Sequence, residues 1–235
     1  GRRNERLKAS SPGISLKMEG ISYLAGAELP AVIVNMVRGG PGLGSIQAAQ
    51  TDYFQATKGG GHGDYHMPTL APASIQEACD LVQLAFDLAD EYRTPVMLIG
   101  DGMIGQMMEP VELVKREPRA QQKKDWATTG WSDKSRKRAV VNSLYIEPEA
   151  LEELNVRLQK RYAEIKEKET MFEAYHTEDA EIIVYAYGTV GSSNPRSRSA
   201  PKRGSRSASS ARSPFGPSRI VPFTKPRRKR AQSAF

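Results

Sequence analysis

Two short runs, AVIVNM (31–36) and PVMLIG (95–100), are apolar without alternation. A strand with one wet face alternates apolar and polar residues, so an unbroken apolar run suits a strand covered on both faces. Between them lies SIQEACDLVQLAFDLADEYR (74–93), the clearest helix of the chain. Ser74 can cap it and Glu77 stands at capping-box spacing, while Ile75, Ala78, Leu81, Val82, Ala85, Leu88 and Ala89 form one apolar stripe. Apolar strands alternating with helices point to an α/β layer fold, a mostly parallel sheet with flanking helices. In such a sheet ligands lie beyond the carboxyl ends of the strands.

Both runs end in glycine-bearing loops. After the first comes RGGPGLGS (38–45), with one cation, Arg38, and glycines at 39, 40, 42 and 44. It is not a P-loop, which needs Lys and a hydroxyl residue directly after the last glycine; Ser45 and Ile46 follow here. Two readings remain: a tight loop that needs unusual backbone angles, or an arginine at a strand end that holds a carboxylate through paired hydrogen bonds. After the second run comes Gly-Asp-Gly (100–102). In thiamine-diphosphate enzymes that triplet opens a magnesium and diphosphate motif, but the asparagine that should close it is missing at the right distance, Asn142 being the next. Asp101 is therefore read as a turn residue. GGGHGDYH (59–66) brings His62, Asp64 and His66 together without a second ligand cluster. The reading taken is a polar loop at a cofactor or subunit edge, with no metal site.

Elsewhere the pattern is less regular. ISLKMEGISYLAGAE (14–28) has helical spacing at Leu16, Ile21, Leu24 and Ala25; AAQTDYFQATK (48–58) is a short helix and TLAP (69–72) a short strand. Residues 109–143 are polar and irregular, an extended excursion. EPEALEELNVRLQKRYAEIKEKE (147–169) spaces Leu151, Leu154, Leu158, Tyr162 and Ile165 along one helical face, with Pro148 in its first turn. EIIVYAYGTV (181–190) is strand-like again and opens a second sheet. The expected divisions are an irregular leader over 1–10, an α/β domain over 11–143, a helix and first strand of another domain over 144–190, and a disordered tail over 191–235.

Charge is distributed unevenly along the chain. Residues 191–235 hold 12 Lys or Arg and no acid, yet residues 11–190 hold 18 basic and 26 acidic residues, a net of −8. An acidic body is not a nucleic-acid face. The tail, rich in Ser, Arg, Pro and Ala, lacks the apolar residues that would offset its chain entropy. Its composition is that of GC-rich codons read out of frame, so a frame shift near Gly191 is the expectation; the rival is a basic arm that contacts nucleic-acid phosphates. The single Cys79 excludes an intrachain disulfide. With no apolar run of about 18 residues and no secretory pattern at the start, a soluble cytoplasmic protein is expected.

Taken together, SSPGISLKMEGISYLAGAELPAVIVNMVRGGPGLGSIQAAQTDYFQATKGGGHGDYH and LAPASIQEACDLVQLAFDLADEYRTPVMLIGDGMIGQMMEPV resemble the α subunit of 2-oxoacid:ferredoxin oxidoreductases. WATTG, NSLYIEPEALEELNVRLQKRYAEI and AEIIVYAYGTV are similar to the VorB-type branch that acts on 2-oxoisovalerate. The resemblance runs from about Ser11 to Val190. It implies a partial pyrimidine-binding domain of the thiamine-diphosphate fold, with thiamine diphosphate and Mg2+ held mainly by a β subunit and none bound by this chain alone. It implies further γ and ferredoxin-like δ subunits, iron-sulfur clusters on other subunits, ferredoxin as acceptor, and a 2-oxoacid and coenzyme A as substrates. By resemblance Arg38 meets the substrate carboxylate, and Gly39, Gly40, Gly42, Gly44, His62 and Asp64 lie at the cofactor or partner edge. The family's opening Tyr-Pro-Ile-Thr-Pro-like segment and its aminopyrimidine-activating glutamate have no counterpart in the matching stretch; Glu19 and Glu28 fall elsewhere in the pattern. The expectation is a truncated α chain, inactive by itself.

Overall fold

The computed structural model describes residues 5–114, 116–117, 119, 124–128, 130, 137–172, 183–191 and 208–212. Strand β1 (Glu5–Ser10) leads into helices α1 (Ser11–Ser15) and α2 (Met18–Gly26), then strand β2 (Ala31–Val37). Helix α3 (Tyr53–Thr57), strand β3 (Thr69–Leu70), helix α4 (Ile75–Tyr92) and strand β4 (Pro95–Asp101) follow. After the excursion come helix α5 (Pro148–Lys168), strand β5 (Ile183–Ala186), helix α6 (Gly188–Gly191) and strand β6 (Ala208–Arg212).

β1, β2, β4 and β3 lie side by side in that order, with every pair parallel. The two apolar runs are the central strands, in register from Ala31 opposite Pro95 to Val37 opposite Asp101. Their period of two divides the core. Val32, Val96 and Leu98 join Leu84, Leu88 and Tyr92 of α4 and Leu154, Leu158, Tyr162 and Ile165 of α5 on one face. Ile33, Val37, Met97 and Ile99 join Ile14, Met18, Ile21 and Ala25 of α1 and α2 on the other. The sheet is covered on both sides, which is why its central strands never alternate.

Local signals set the helices where expected. Ser74 accepts the Glu77 N–H at 3.1 Å, and the Glu77 carboxylate accepts the Ala73 N–H, so two otherwise orphan donors are satisfied. α4 ends at Arg93, held in the left-handed region at φ 46°. The α5 stripe buries Leu154, Leu158, Tyr162 and Ile165, while Leu151 stays exposed. Near the start the helix breaks at Leu16–Lys17, so the buried stripe is Ile14, Met18, Ile21 and Ala25, and Leu16 faces outward.

Three expectations change. The leader is not irregular throughout: Glu5–Ser10 pairs with β2 along six residues, because β2 offers an open edge of backbone donors and acceptors. α5 does not stand apart with a second sheet, since its apolar stripe shares one core with α4, β2 and β4. In the tail, Ala208–Arg212 forms β6 parallel to β5, where disorder was expected; the other residues of 192–235 lie outside the described set. Where described, the excursion forms no helix or strand and turns at 125–127, and it is pinned along α4. Gln76 donates to and accepts from the Glu112 backbone, Gln83 does so with Val114 and Arg116, and Lys124 reaches Asp90 at 2.7 Å.

Candidate functional site

In a parallel sheet all strands finish at one end, so the loops after β2, β3 and β4 converge there. Arg38 follows β2 directly. Its N–H donates to the Ser11 hydroxyl at 3.1 Å, and its backbone bridges to Ala48. The loop between closes on itself: Gly39 N–H reaches the Gln47 carbonyl at 3.0 Å and Ser45 N–H the Gly39 carbonyl at 2.7 Å. One guanidinium N–H donates to the Ser45 carbonyl at 3.1 Å. Among the described residues no carboxylate forms an ion pair with Arg38.

Of the four loop glycines, Gly44 carries the tightest requirement. Its φ is +65°, and a Cβ there would overlap the Gly39 carbonyl oxygen, which is backbone and engaged by Ser45. Gly44→Ala should therefore open the loop at a cost of about 1–2 kcal/mol for the left-handed backbone alone. Faster amide exchange at Ser45 is the expected readout; an unchanged rate would show that the loop does not depend on this closure.

Beside Arg38, Asn35 is fully buried on β2 and donates to Asp52 at 3.2 Å, while its carboxamide oxygen has no partner among the described residues. Asp101 ends β4. One of its oxygens accepts the N–H groups of Met103 and Ile104, and the other accepts the Thr189 hydroxyl. That is the bonding of an aspartate which closes a turn. Tyr187 stands between the two loops with Tyr53 5.6 Å away, centroid to centroid. Burial, then Tyr53 and the Asp52 and Asp101 carboxylates, push its hydroxyl up to about 12.

The histidine loop is elsewhere in the bonding network. The His62 carbonyl accepts from Ser22 of α2 at 2.8 Å and its ring meets Tyr23 edge-on, while the Asp64 carbonyl accepts from Gln159 of α5. His66 is edge-on to Tyr162, and burial lowers its pKa. None of these hydrogen bonds reaches the Arg38 loop. Glu19 is engaged by Tyr23 and Glu28 by Arg157 and Arg161, and none of these bonds reaches the Arg38 loop either. Gln50, Asp52, Tyr187 and Thr189 were not singled out from the sequence. Polar residues in irregular stretches carry no periodicity, and only the fold brings 50 and 187 together.

A family model described as pyruvate flavodoxin/ferredoxin oxidoreductase, thiamine diP-binding, matches residues 8–176. The chain belongs to this family. Over 180 residues, 77% of this chain, it is 49% identical to ketoisovalerate oxidoreductase subunit VorB of Methanothermobacter marburgensis, of which 51% is covered. It is 46% identical over 108 residues to 2-oxoglutarate synthase subunit KorA of Methanothermobacter thermautotrophicus, covering 46% of this chain and 28% of that protein. The chain thus spans about half the length of the VorB relative. Its fold matches a solved structure titled 2-oxoglutarate:ferredoxin oxidoreductase from Magnetococcus marinus with 2-oxoglutarate, coenzyme A and succinyl-CoA bound. The TM-score is 0.63 at 20% identity, covering 80% of this chain and 37% of that one, which shows the fold.

The expected α/β thiamine-diphosphate-binding fold and the likeness to a VorB-type α subunit are both borne out. These relatives are named as subunits of an oxidoreductase and of a synthase, and they give no support to a nucleic-acid-binding scaffold. Among the described residues no helix is long and apolar enough to cross a membrane.

Proposed function

We propose that this chain is the pyrimidine-side part of the α subunit of a cytoplasmic, thiamine-diphosphate-dependent 2-oxoacid:ferredoxin oxidoreductase. The reaction is oxidative decarboxylation of a branched-chain 2-oxoacid to acyl-CoA and CO2, with electrons passed through iron-sulfur clusters to ferredoxin. The observation that carries the reading is Arg38: a guanidinium at a strand end, in a loop tightened by Gly44, with no carboxylate paired to it among the described residues. A 2-oxoacid carries the carboxylate that such a fork binds. The branched-chain preference rests on the likeness to the ketoisovalerate subunit.

The strand-end residues suit one end of thiamine diphosphate better than the other. The buried Asn35 oxygen is an acceptor awaiting a donor, as an aminopyrimidine edge would supply. Asp101 already spends both oxygens on its own turn and Thr189, so it does not suit a Mg2+-diphosphate group. This supports the division in which a β subunit holds the diphosphate and magnesium. Thiamine diphosphate, when bound, supplies the nucleophilic carbon and the electron sink for decarboxylation. This chain's contribution is to bind and orient the substrate carboxylate through Arg38 without over-stabilising the ground state. Leu43, Ile46 and Met103 on the loops beyond the strand ends and Phe54 on α3 are exposed, apolar residues suited to the partner subunit. The γ and ferredoxin-like δ subunits complete the proposed assembly, and His62 and Asp64 are assigned to its subunit edges.

The test is made in the assembled complex. Arg38→Ala should lower kcat/KM for the 2-oxoacid on the order of tenfold to a hundredfold, the range set by losing a charge-assisted hydrogen bond of about 1.5–3 kcal/mol. Arg38→Lys keeps the charge and loses the fork, so it should fall between, with coenzyme A kinetics nearly constant. Near-normal 2-oxoacid kinetics in both variants, with separation of the subunits, would make Arg38 an interface residue. A second measurement addresses the cofactor: calorimetric titration of the isolated chain should detect no micromolar binding of thiamine diphosphate with magnesium.

A further inference from the structure

We propose that the Tyr187–Thr189 corner is a positioning element that clamps the Arg38 loop to the turn after β4. This inference rests on the reading of Arg38 given above. The corner touches three strand-end segments at once. Gln50, at the end of the Arg38 loop, donates to the Tyr187 carbonyl at 2.9 Å, and the Tyr187 hydroxyl donates back to the Gln50 carbonyl at 3.3 Å. Thr189 donates to Asp101 in the turn after β4. A Cβ on Gly188 would lie 3.1 Å from the Gln50 side-chain nitrogen and 3.7 Å from the Pro72 carbonyl oxygen, beyond β3. The corner's fit against these segments is thus set by a glycine at φ +59°.

Tyr187 and Gln50 are 137 residues apart and exchange two hydrogen bonds, which fixes both distance and orientation. From Gln50 the chain returns through Ala48, bridged to Arg38, and Gln47, bonded to Gly39. A displacement of Gln50 is therefore transmitted to the arginine within a few residues. Tyr187 is a constant donor at physiological pH, because its hydroxyl titrates far above it. The carboxylate fork needs its geometry to a fraction of an ångström, so a clamp of this kind acts on substrate affinity before it acts on stability.

The experiment has two arms. In the full chain, Tyr187→Phe removes one hydrogen bond and keeps the ring against Tyr53. Amide exchange at Gly39 and Ser45 should accelerate by about threefold to tenfold, while exchange in α4 stays constant. Thr189→Val should do the same to Met103 and Ile104, and Thr189→Ser should restore them. In the assembled complex, Tyr187→Phe should raise KM for the 2-oxoacid several-fold with a smaller change in kcat and no change in KM for coenzyme A. Wild-type exchange in Tyr187→Phe overturns the clamp, as does accelerated exchange with an unaltered KM when Arg38→Ala shows its full loss. If Arg38→Ala has normal kinetics, the reading of Arg38 fails, and the exchange arm alone still decides whether the corner clamps the loop.

Discussion

Glu28→Ala should destabilise this chain by about 3 kcal/mol or more, the lower end of what removal of one partner from a buried ion pair costs. Glu28 leaves α2 with its side chain 10% exposed, and it accepts from Arg157 at 2.8 Å and from Arg161, both on α5. Arg161 is 16% exposed and Arg157 50%, so solvent screens the second contact and keeps the expected loss near that lower end. Desolvation pushes the carboxyl pKa up, but the two guanidinium groups outweigh it and hold the pKa below its ordinary value. The unfolded chain then binds a proton more readily than the folded one. The stabilisation is present above the unfolded value of about 4.3 and is lost as pH falls through the folded value. Glu28→Gln should flatten the acid limb of the stability curve. Glu28 also sits at φ 52°, so Glu28→Gly should lose about 1 kcal/mol less than Glu28→Ala. Urea unfolding of the four proteins checks this; a Glu28→Ala midpoint equal to wild type would show that the pair contributes nothing.

Leu88→Ala and Leu158→Ala should each cost about 2–5 kcal/mol and should shift the same unfolding transition. Leu88 on α4 and Leu158 on α5 are both buried in the cluster that covers one face of the sheet. Truncating either leaves a cavity between a helix and the central strands, and the surroundings collapse only in part. The comparison separates two architectures. If α5 belongs to the α/β core, fluorescence and hydrogen exchange in α4 should report both lesions equally. If α5 packed on its own, Leu158→Ala would leave exchange in α4 and β4 at its wild-type rate while α5 melted earlier.

Features with a local cause could be read from the residue pattern alone. AVIVNM and PVMLIG are strands because β-branched and apolar residues without alternation can only be buried on both faces, and they form the centre of the sheet. Ser74 and Glu77 announce the start of α4 by satisfying its free donors, and the apolar spacing of α5 fixes which face is buried. Arg38 and its glycines were legible as a strand-end loop, and Asp101 as a turn residue, because chain neighbours supply those bonds. The remaining features depend on long-range packing. Glu5–Ser10 has no strand pattern and becomes β1 because β2 presents an open edge. α5 joins the first core because the sheet face beside α4 needs cover, which no periodicity specifies. The partner of Gln50 is Tyr187, and that of Asp101 is Thr189, 137 and 88 residues away. Polar contacts of that range depend on where the chain returns, and that is set by the whole fold and by no single stretch of it.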